Sequence, residues 1–274
     1  MSEIKNIKNV SSAFSKQSSK FDELYENNVL SDYFRDVFYK EVKSTCGKQP
    51  LHILDINCGT GIDAFHYYKQ GHSVLGIDNS EGMIEQFKTK IDNLELDAKI
   101  NAKKLSFENL EELLPQKFDC ITSNFGGLNC IQDIDLVLNK LNQLLTDEGG
   151  ITLAIMPKYS WWEFIQIFKG KFSLAFRRFK KSASANVEGE IFDCYYFNVR
   201  QVIKVLKKNF EITSIKSTYL IVPPEHYNHY FQDKPKRLKI LSVLKKLENL
   251  VSKFPLFRNL GDFYIISAKK RPNN

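Results

Sequence analysis

A short run of glycine and carboxylate residues could bind a nucleotide-like cofactor. An apolar run of residues gives way to an amphipathic one at Asp55, Asn57, Gly59 and Gly61. Glycines at such a turn let the backbone approach a ligand without an intervening Cβ, and the helix that follows offers free N–H donors. Asp78 follows Gly59 by nineteen residues, and a carboxylate there can accept both hydroxyls of a ribose. The spacing predicts a cofactor that contains a ribose.

More than one interpretation of this run stays open. Nicotinamide dehydrogenases use the same turn with an acidic residue about twenty positions later. Here Ala64, a tolerated variant, stands at the third glycine position after Gly59 and Gly61, Asn57 precedes them in place of a glycine, and about fifty residues with a helical pattern come before the turn. Those differences count against a nicotinamide cofactor. Purely structural roles are the other alternative, because Asp commonly stabilises turns and caps helices.

A second polar cluster follows two prolines and contains Glu225, His226, Tyr227 and His229. Two histidines three residues apart could bind a metal, but no third ligand is evident, so we predict no metal. Histidine and tyrosine can also act as general acids or bases. We therefore predict His226, Tyr227 and His229 as catalytic residues that reach over the mouth of the site, with a plain surface role as the alternative.

The elements that must position these residues alternate between short apolar runs and amphipathic stretches, which is typical of an α/β fold. Strands are predicted at residues 51–56, 73–78, 98–105, 118–124, 151–156, 210–222 and 262–268. Helices are predicted at residues 12–45, 61–71, 81–91 and 132–145, with a turn at 147–150. The predicted domains are an N-terminal helical lid (1–47), a core (48–156 and 198–274), an aromatic and basic cap (157–197) and a second lid insertion (223–259).

Composition narrows the class of protein. The chain has 274 residues, a net charge of +7 and no uninterrupted apolar run of the roughly 18 to 20 residues that a membrane span needs, so we expect a cytoplasmic protein. Residues 234–274 hold eleven Lys and Arg against two carboxylates, and residues 158–181 hold seven against one. Five widely spaced cysteines without a Cys-x-x-Cys pair favour reduced thiols.

Four segments resemble motifs of the class I S-adenosylmethionine-dependent methyltransferases, in the branch that includes quinone and many small-molecule enzymes. The first two are Leu54-Asp55-x-x-Cys58-Gly59-Thr60-Gly61 and Gly76-Ile77-Asp78-x-Ser80-x-x-Met83. The other two are Phe118-Asp119-x-x-x-Ser123-Asn124-Phe125 and Leu144-Leu145-x-x-x-Gly149-Gly150. The resemblance covers residues 51–156. It implies a Rossmann-like seven-stranded sheet of order 3-2-1-4-5-7-6, with the last strand antiparallel and with helical cap insertions.

The same resemblance implies S-adenosylmethionine as the cofactor and assigns residues to it. The methionine end is held by Asp55 and by the backbone of Gly59, Thr60 and Gly61, beside Asn57. The ribose is bound by Asp78, and the adenine is flanked by Asn79 and Met83, with Ser106 and Phe107 near its amine. The floor near the transferred methyl is formed by Ser123 and Asn124, and Phe125 lines the pocket. Because Asn57 replaces the family's first motif glycine, that position is predicted to be crowded.

The strand-four motif also argues against certain classes of methyl acceptor. Enzymes that methylate exocyclic base amines or glutamine amides carry Asn-Pro-Pro-Tyr or a near relative there, whereas Asn124 is followed by Phe125, Gly126 and Gly127. The resemblance therefore argues against those acceptors.

The cap residues suggest the chemistry of the acceptor. Aromatic residues alternate with basic ones at helix-compatible spacings, at Trp161, Trp162, Phe164, Phe168, Phe172, Phe176 and Phe179. Three interpretations stay open: an apolar substrate chamber with a basic rim, a contact with a membrane surface, or a small cap core with a charged exterior. A helix with one apolar and one basic side is predicted from Ile240, Leu244, Leu247, Val251 and Phe254.

We therefore expect methyl transfer to a small or medium apolar metabolite, such as a quinone, a lipid-like compound or a natural-product intermediate. RNA methylation is the alternative that the basic segments suggest. A cofactor-binding protein without catalysis is another, and a nicotinamide oxidoreductase is more distant. The expected partner is a small-molecule acceptor, with a transient membrane-surface contact as an option and the oligomeric state left open.

Overall fold

A central twisted sheet carries the site. The computed structural model describes residues 2–47 and 49–272. The strands of the sheet are β1 (His52–Ile56), β2 (Ser73–Asp78), β3 (Ile100–Lys104), β4 (Phe118–Ser123), β5 (Leu145–Ile155), β8 (Phe210–Thr218) and β9 (Phe263–Lys270), whereas β6 (Ala183–Val187) and β7 (Glu190–Cys194) form a separate hairpin. Their order in the sheet is β3-β2-β1-β4-β5-β9-β8. Counted without the hairpin, this is the predicted order 3-2-1-4-5-7-6, which is confirmed.

The pairing of the strands explains where a ligand can bind. Strands β1 to β5 pair in parallel, whereas β9 runs antiparallel to both β5 and β8. Strand β1 lies between β2 and β4, so the order of the strands reverses at β1. In such sheets the carboxyl ends of the strands leave a crevice at the point of reversal.

Helices cover both faces of the sheet, because successive residues of a strand point to opposite faces. They are α1 (Glu3–Tyr25), α2 (Val29–Cys46), α3 (Ile62–Lys69), α4 (Glu81–Asn93), α5 (Ile134–Leu144), α6 (Trp161–Phe164), α7 (Phe172–Ala175), α8 (Val199–Leu206) and α9 (Pro235–Val251). Leu54 and Ile56 belong to the core on the side of α5 and α8. Ile53 belongs to the core that contains residues of α2, α3, α4 and α9.

The N-terminal segment, predicted as one helix, is two. Asn27 has a φ of +55°, and Asn28 caps α2 by accepting hydrogen bonds from the N–H groups of Leu30 and Ser31. Helix α2 packs on β5 and β9, whereas α1 packs on α4 and on the β6–β7 hairpin. The break therefore lets α1 cross the carboxyl ends of the strands while α2 stays on the sheet.

The two insertions have different shapes. The segment 157–197 contains α6, α7 and the β6–β7 hairpin, and Glu163 and Asp262 hold Arg178 in it. The segment 223–259 contains a 3-10 turn (Glu225–Tyr230) and α9. The domain boundaries given above stay a prediction.

Two local expectations were wrong. The expected turn at 147–150 lies inside β5, because Phe118 pairs with Leu145 and Cys120 with Gly150, which leaves an irregular stretch between the two pairs. Cys46 at the end of α2 forms a disulfide with Cys120, with 5.9 Å between the Cα atoms, so these two are not reduced thiols. No local pattern predicted this pair, because 74 residues separate its members.

Candidate functional site

The glycine turn lies between β1 and α3, at the point where the strand order reverses. Asn57, Gly59 and Gly61 all have a positive φ, of +59°, +55° and +87°. Asparagine tolerates this conformation better than most residues. A Cβ on Gly61 would lie 2.5 Å from the ring of Phe87, so that position also requires glycine for space.

Asp78 ends β2 next to this turn. Its carboxylate accepts hydrogen bonds from the N–H of Gly59 (3.0 Å) and from the N–H of Ser80 (2.8 Å). Burial raises the pKa of Asp78, while the backbone N–H groups of Ser80, Gly59 and Asn79 act in the opposite direction. A carboxylate has about four acceptor positions, so at least one stays available for a ligand.

A cavity of about 210 Å³ opens beside these residues. Of the predicted cofactor residues, those that line it are Asn57, Gly59, Asp78, Asn79, Met83, Phe107, Asn124 and Phe125. The predicted residues absent from the lining are Asp55, Thr60, Gly61, Ser106 and Ser123. The structure thus brings together eight predicted residues from four strand ends and places five others behind them.

The residues behind the cavity hold its wall in place. Ser123 donates a hydrogen bond to Asn57 Oδ1 (3.2 Å), and Thr60 donates one to Asp22 of α1 (2.5 Å). Ser106 accepts the N–H of Glu108 and so caps the 3-10 turn that carries Phe107. These side chains position the lining residues.

Asp55 is buried beneath the glycine turn. Thr122 donates a hydrogen bond to its Oδ1 (2.9 Å), whereas its Oδ2 is buried and has no partner among the described residues. Burial and the neighbouring Asp63 raise the pKa of Asp55 well above its ordinary value. A buried acceptor without a donor is costly, and this one lies at the turn where a cationic ligand group would supply a donor.

An ion pair supports the floor of the cavity. Asp63 in the first turn of α3 accepts hydrogen bonds from Arg35 Nε (3.0 Å), from the Tyr39 hydroxyl (2.5 Å) and from Asn124 Nδ2 (2.9 Å). The Arg35 guanidinium also lies 4.6 Å from the ring centroid of Phe125. The side chain of Asn124 is thus fixed from behind, and Phe125 rests on a cation.

Comparison with known proteins agrees with this geometry. Residues 48–160 match the family model described as a methyltransferase domain. An uncharacterized protein of Methanocaldococcus jannaschii is 27% identical over 77% of this chain and 80% of its own length. A ubiquinone biosynthesis O-methyltransferase of Pelagibacter ubique is 27% identical over 57% of this chain and 65% of its own length. Residues 48–160 are therefore similar to a methyltransferase domain.

The fold of the chain also matches solved structures. A 1,6-didemethyltoxoflavin-N1-methyltransferase of Burkholderia thailandensis, solved with its substrate and S-adenosylhomocysteine, superposes with a TM-score of 0.61. The match covers 99% of this chain and 91% of the other, at 13% identity. At this identity the likeness concerns the fold alone.

S-adenosylmethionine, the cofactor of the similar enzymes, fits the residues of this site. Asp78 has at least one free acceptor position for the ribose, and Gly59 leaves the backbone open to the ligand. Met83 and Phe107 supply apolar surface in the same cavity. The unpartnered Oδ2 of Asp55 is a buried acceptor behind the glycine turn, outside the lining of the cavity.

Sequence reasoning missed the opposite wall of the cavity. This wall comes from α1 and from the β6–β7 hairpin, and its residues are Ile7, Val10, Ser11, Phe14, Phe21, Tyr25, Phe192 and Cys194. Cys130 and Met156 also contribute. The signal was present, since the apolar residues of α1 recur three, four and seven positions apart in a polar helix. What the sequence could not show was that this side of α1 faces the cavity.

The predicted catalytic cluster lies elsewhere. His226 and His229 are exposed, Tyr227 is half-buried, and none of the three lines the cavity in the part of the chain that the structure describes. The hydroxyl of Tyr227 accepts a hydrogen bond from Gln166 (3.2 Å). A catalytic role for these residues stays a prediction to which the geometry adds nothing.

The aromatic cap does not match the interpretation that it forms an apolar substrate chamber. Trp161, Phe168, Phe172, Phe176 and Phe179 are exposed and do not line the cavity. The expected aromatic chamber is therefore not formed by these residues, and the hairpin is the part of the cap that reaches the site. Within residues 2–47 and 49–272, no group of three or more His, Cys, Asp or Glu side chains is placed to hold a metal ion.

Proposed function

We propose that the protein transfers a methyl group from S-adenosylmethionine to a small, uncharged and mainly apolar metabolite, of the quinone, lipid-like or natural-product kind. One observation carries the proposal: Asp78 is the single charged side chain among the described residues that line the cavity. If Asp78 is used by the ribose, no charge is left to pair with a charged acceptor. Burying an unpaired charge is strongly unfavourable.

The acceptor side of the cavity is the wall built by α1 and the hairpin. Phe14 of α1 lies 5.9 Å from Phe192 of β7, measured between ring centroids. Ser11 and Tyr25 are the polar residues of α1 on this wall, and the Ser11 hydroxyl already donates a hydrogen bond to the carbonyl of Asn79 (2.9 Å). Burial, and then the nearby Glu225, raise the pKa of Tyr25, so its hydroxyl stays protonated and can donate a hydrogen bond to an acceptor oxygen.

Helix α1 is proposed as a lid. The cavity of about 210 Å³ is smaller than the roughly 300 to 1000 Å³ of ordinary small-molecule sites. Asp22 ties α1 to the glycine turn through Thr60 and to α4 through Lys90, at 2.7 Å. A cofactor and an acceptor together need more space, so α1 must move outward for entry and return to exclude water.

The chemistry asks little of the protein beyond this placement. S-adenosylmethionine supplies a methyl group that its sulfonium already activates. The side chains of this chain have to align the acceptor with that methyl, at about 3 to 3.5 Å, and keep water out. An apolar wall with one fixed donor, Tyr25, serves both purposes.

Binding and turnover test the proposal in sequence. Titration calorimetry with S-adenosylhomocysteine establishes cofactor binding, and transfer of a labelled methyl is then measured to neutral hydroxylated quinones and phenols. Amines and carboxylates of the same size serve as charged competitors. We expect transfer to the neutral compounds. Preferential methylation of charged compounds or of RNA, or binding without any turnover, would contradict the proposal.

A substitution on the apolar wall makes the test specific. Phe14→Asp places a charge on the acceptor side and should lower kcat/KM for a neutral acceptor at least about tenfold, with little change in the Kd of S-adenosylhomocysteine. Ile4→Asp is the matched control, because Ile4 is exposed on the same helix. Equal losses in both variants would show that the effect concerns α1 as a whole.

A further inference from the structure

Helix α9 has an inner face that fixes it to the core. Leu241 and Glu248, seven residues apart, are buried. Glu248 accepts hydrogen bonds from the Tyr33 hydroxyl (3.1 Å) and from the backbone N–H groups of four consecutive residues, 219–222 (2.7 to 3.1 Å). The orientation of α9 about its own axis is therefore determined by a buried carboxylate, and its opposite face must point outward.

The outward face is apolar. We call it the outer stripe, and its members are Ile240, Val243, Leu247, Leu250 and Phe254, which are between 45% and 70% exposed. They recur three and four positions apart, so they lie along one side of the helix and its C-terminal extension. The predicted apolar side of α9 differs, because Leu244 and Val251 are half-buried. Exposed apolar residues in a continuous row mark an interaction site.

A row of lysines flanks the outer stripe on one side. Lys239, Lys246 and Lys253 each precede a stripe residue and repeat every seven positions. No carboxylate pairs with these three lysines in the described part of the chain. The carboxylate of α9 itself, Glu248, is turned to the core. The surface around the stripe is thus apolar and positive.

A second copy of the chain does not suit this surface. Two outer stripes packed antiparallel would place the lysine rows against each other. Packed parallel, each lysine row would meet the apolar positions 244 and 251 of the partner helix, with no acid to pair with. Coiled-coil pairs normally place opposite charges at these flanking positions.

An anionic membrane surface suits both features. Interfacial helices insert apolar side chains about 5 to 10 Å into the boundary of headgroups and acyl chains and keep lysines at the phosphates. Anionic lipids attract each such lysine. No described helix is long and apolar enough to pass through a bilayer, so the contact would lie along the surface.

The exposed cap continues this surface. The backbone N–H of Trp161 donates a hydrogen bond to the carbonyl of Leu260 (2.8 Å). Leu260 lies a few residues beyond Phe254 and the exposed Leu256. The cap therefore starts next to the segment that follows the outer stripe. Its exposed aromatic side chains are Trp161 and four phenylalanines, and interfacial segments bury Trp and Phe in the headgroup boundary. We propose that α9 docks the protein on an anionic membrane surface through the outer stripe and its lysine row.

Sedimentation with lipid vesicles tests the docking. The full chain is mixed with sucrose-loaded vesicles of phosphatidylcholine alone or with a third of phosphatidylglycerol. We expect binding to the anionic vesicles that weakens as salt rises. The double variant Leu247→Ser/Leu250→Ser should lower the partition coefficient at least about tenfold. The variant Leu94→Ser/Leu136→Ser is its control, because these leucines are equally exposed on other elements.

A charge variant and an oligomer measurement complete the test. Lys239→Gln/Lys246→Gln/Lys253→Gln should weaken binding to anionic vesicles and leave the weak binding to phosphatidylcholine unchanged. Thermal unfolding confirms that each variant is folded. Absence of vesicle binding, or binding that neither variant changes, would overturn the proposal. Sedimentation velocity showing a dimer that Leu247→Ser/Leu250→Ser dissociates would overturn it as well, in favour of a second copy.

Discussion

The side chain of Asn57 occupies the space that a Cβ on Gly127 would need. Such a Cβ would lie 2.5 Å from both Cβ and Cγ of Asn57. Both residues line the cavity. The crowding predicted where the family has glycine is therefore relieved by a glycine seventy positions later, in the segment that follows β4.

This relationship predicts a rescue. Gly127→Ala should lower the free energy of unfolding by about 1 to 3 kcal/mol, because the added methyl overpacks against Asn57. Asn57→Gly/Gly127→Ala should recover most of that loss, since Gly127 has no positive φ and glycine accepts the φ of +59° at position 57. Urea unfolding of the two variants and of Asn57→Gly measures these free energies of unfolding. A double variant no more stable than Gly127→Ala would contradict the interpretation.

Asp78 is expected to dominate cofactor binding. Asp78→Asn removes the charge and half of the acceptor capacity that serves Gly59, Ser80 and a ribose, so the Kd of S-adenosylhomocysteine should rise about tenfold to a hundredfold. Titration calorimetry provides the measurement. Asp92→Asn, at an exposed position of α4, is the matched control. Unchanged affinity in a folded Asp78→Asn protein would remove Asp78 from the site.

The pH dependence of stability should report on Glu225. Burial, and then the nearby Asp262, raise the pKa of Glu225 to about 7. The folded state then holds a proton that the unfolded state has released, so stability falls as pH rises from about 4.5 to 7 and is level above that range. The fall due to this group should be about 1 to 3 kcal/mol.

Glu225→Gln isolates this contribution. Urea unfolding at pH 5.0 and 7.5 should show a smaller loss of stability in Glu225→Gln than in the unsubstituted protein. Glu112→Gln, at an exposed position, should behave like the unsubstituted protein. If Glu225→Gln and the unsubstituted protein lose the same stability over this range, Glu225 is ionised in the folded state throughout.

Two cysteines in the cavity wall should report whether S-adenosylhomocysteine is bound. Cys130 and Cys194 line it, and a hydrogen bond between them raises the pKa of Cys130 and lowers the pKa of Cys194. Iodoacetamide should therefore modify Cys194 first, because the thiolate is the reactive form. S-adenosylhomocysteine at about ten times its Kd should slow the modification of Cys194 about tenfold if the bound ligand shields this thiol.

Mass spectrometry of the modified peptides measures the protection. Cys58 is the internal control, because burial raises the pKa of its thiol and keeps it out of solvent. Modification of Cys194 at one rate with and without the cofactor would place Cys194 outside the bound ligand's reach.

The cofactor side was predictable because its residues are close in sequence to the strand ends that carry them. Asn57, Gly59 and Asp78 follow two neighbouring parallel strands, and parallel strands bring their carboxyl ends to one edge of the sheet. The roles of Ser123 and Thr60 were less accessible, since their hydroxyls turn away to Asn57 and Asp22. Spacing locates a residue on an element but does not show which neighbour its side chain meets.

The acceptor side could not be predicted, because it depends on contacts between distant segments. Asn6 of α1 donates hydrogen bonds to the carbonyls of Cys130 and Asp193, both at 3.1 Å, across 124 and 187 positions. No local pattern reports such a contact. The position of the cap aromatics could not be predicted for a related reason. Their spacing is that of a packed helix face, but their side chains are exposed.

The sequence by itself determined the alternation of strands and helices and a cofactor that contains a ribose, since these follow from apolar periodicity and from the glycine turn with Asp78. The order of the strands and the identity of the cofactor came from the resemblance of its motifs to a known family. Only the tertiary structure decided which apolar residues enclose the cavity and which face outward. Phe14 and Phe176 are both aromatic residues on short apolar patterns, yet the first lines the site and the second is exposed. The difference lies in the packing of α1 and the hairpin across the strand ends, which burial of apolar surface favours but no single segment encodes.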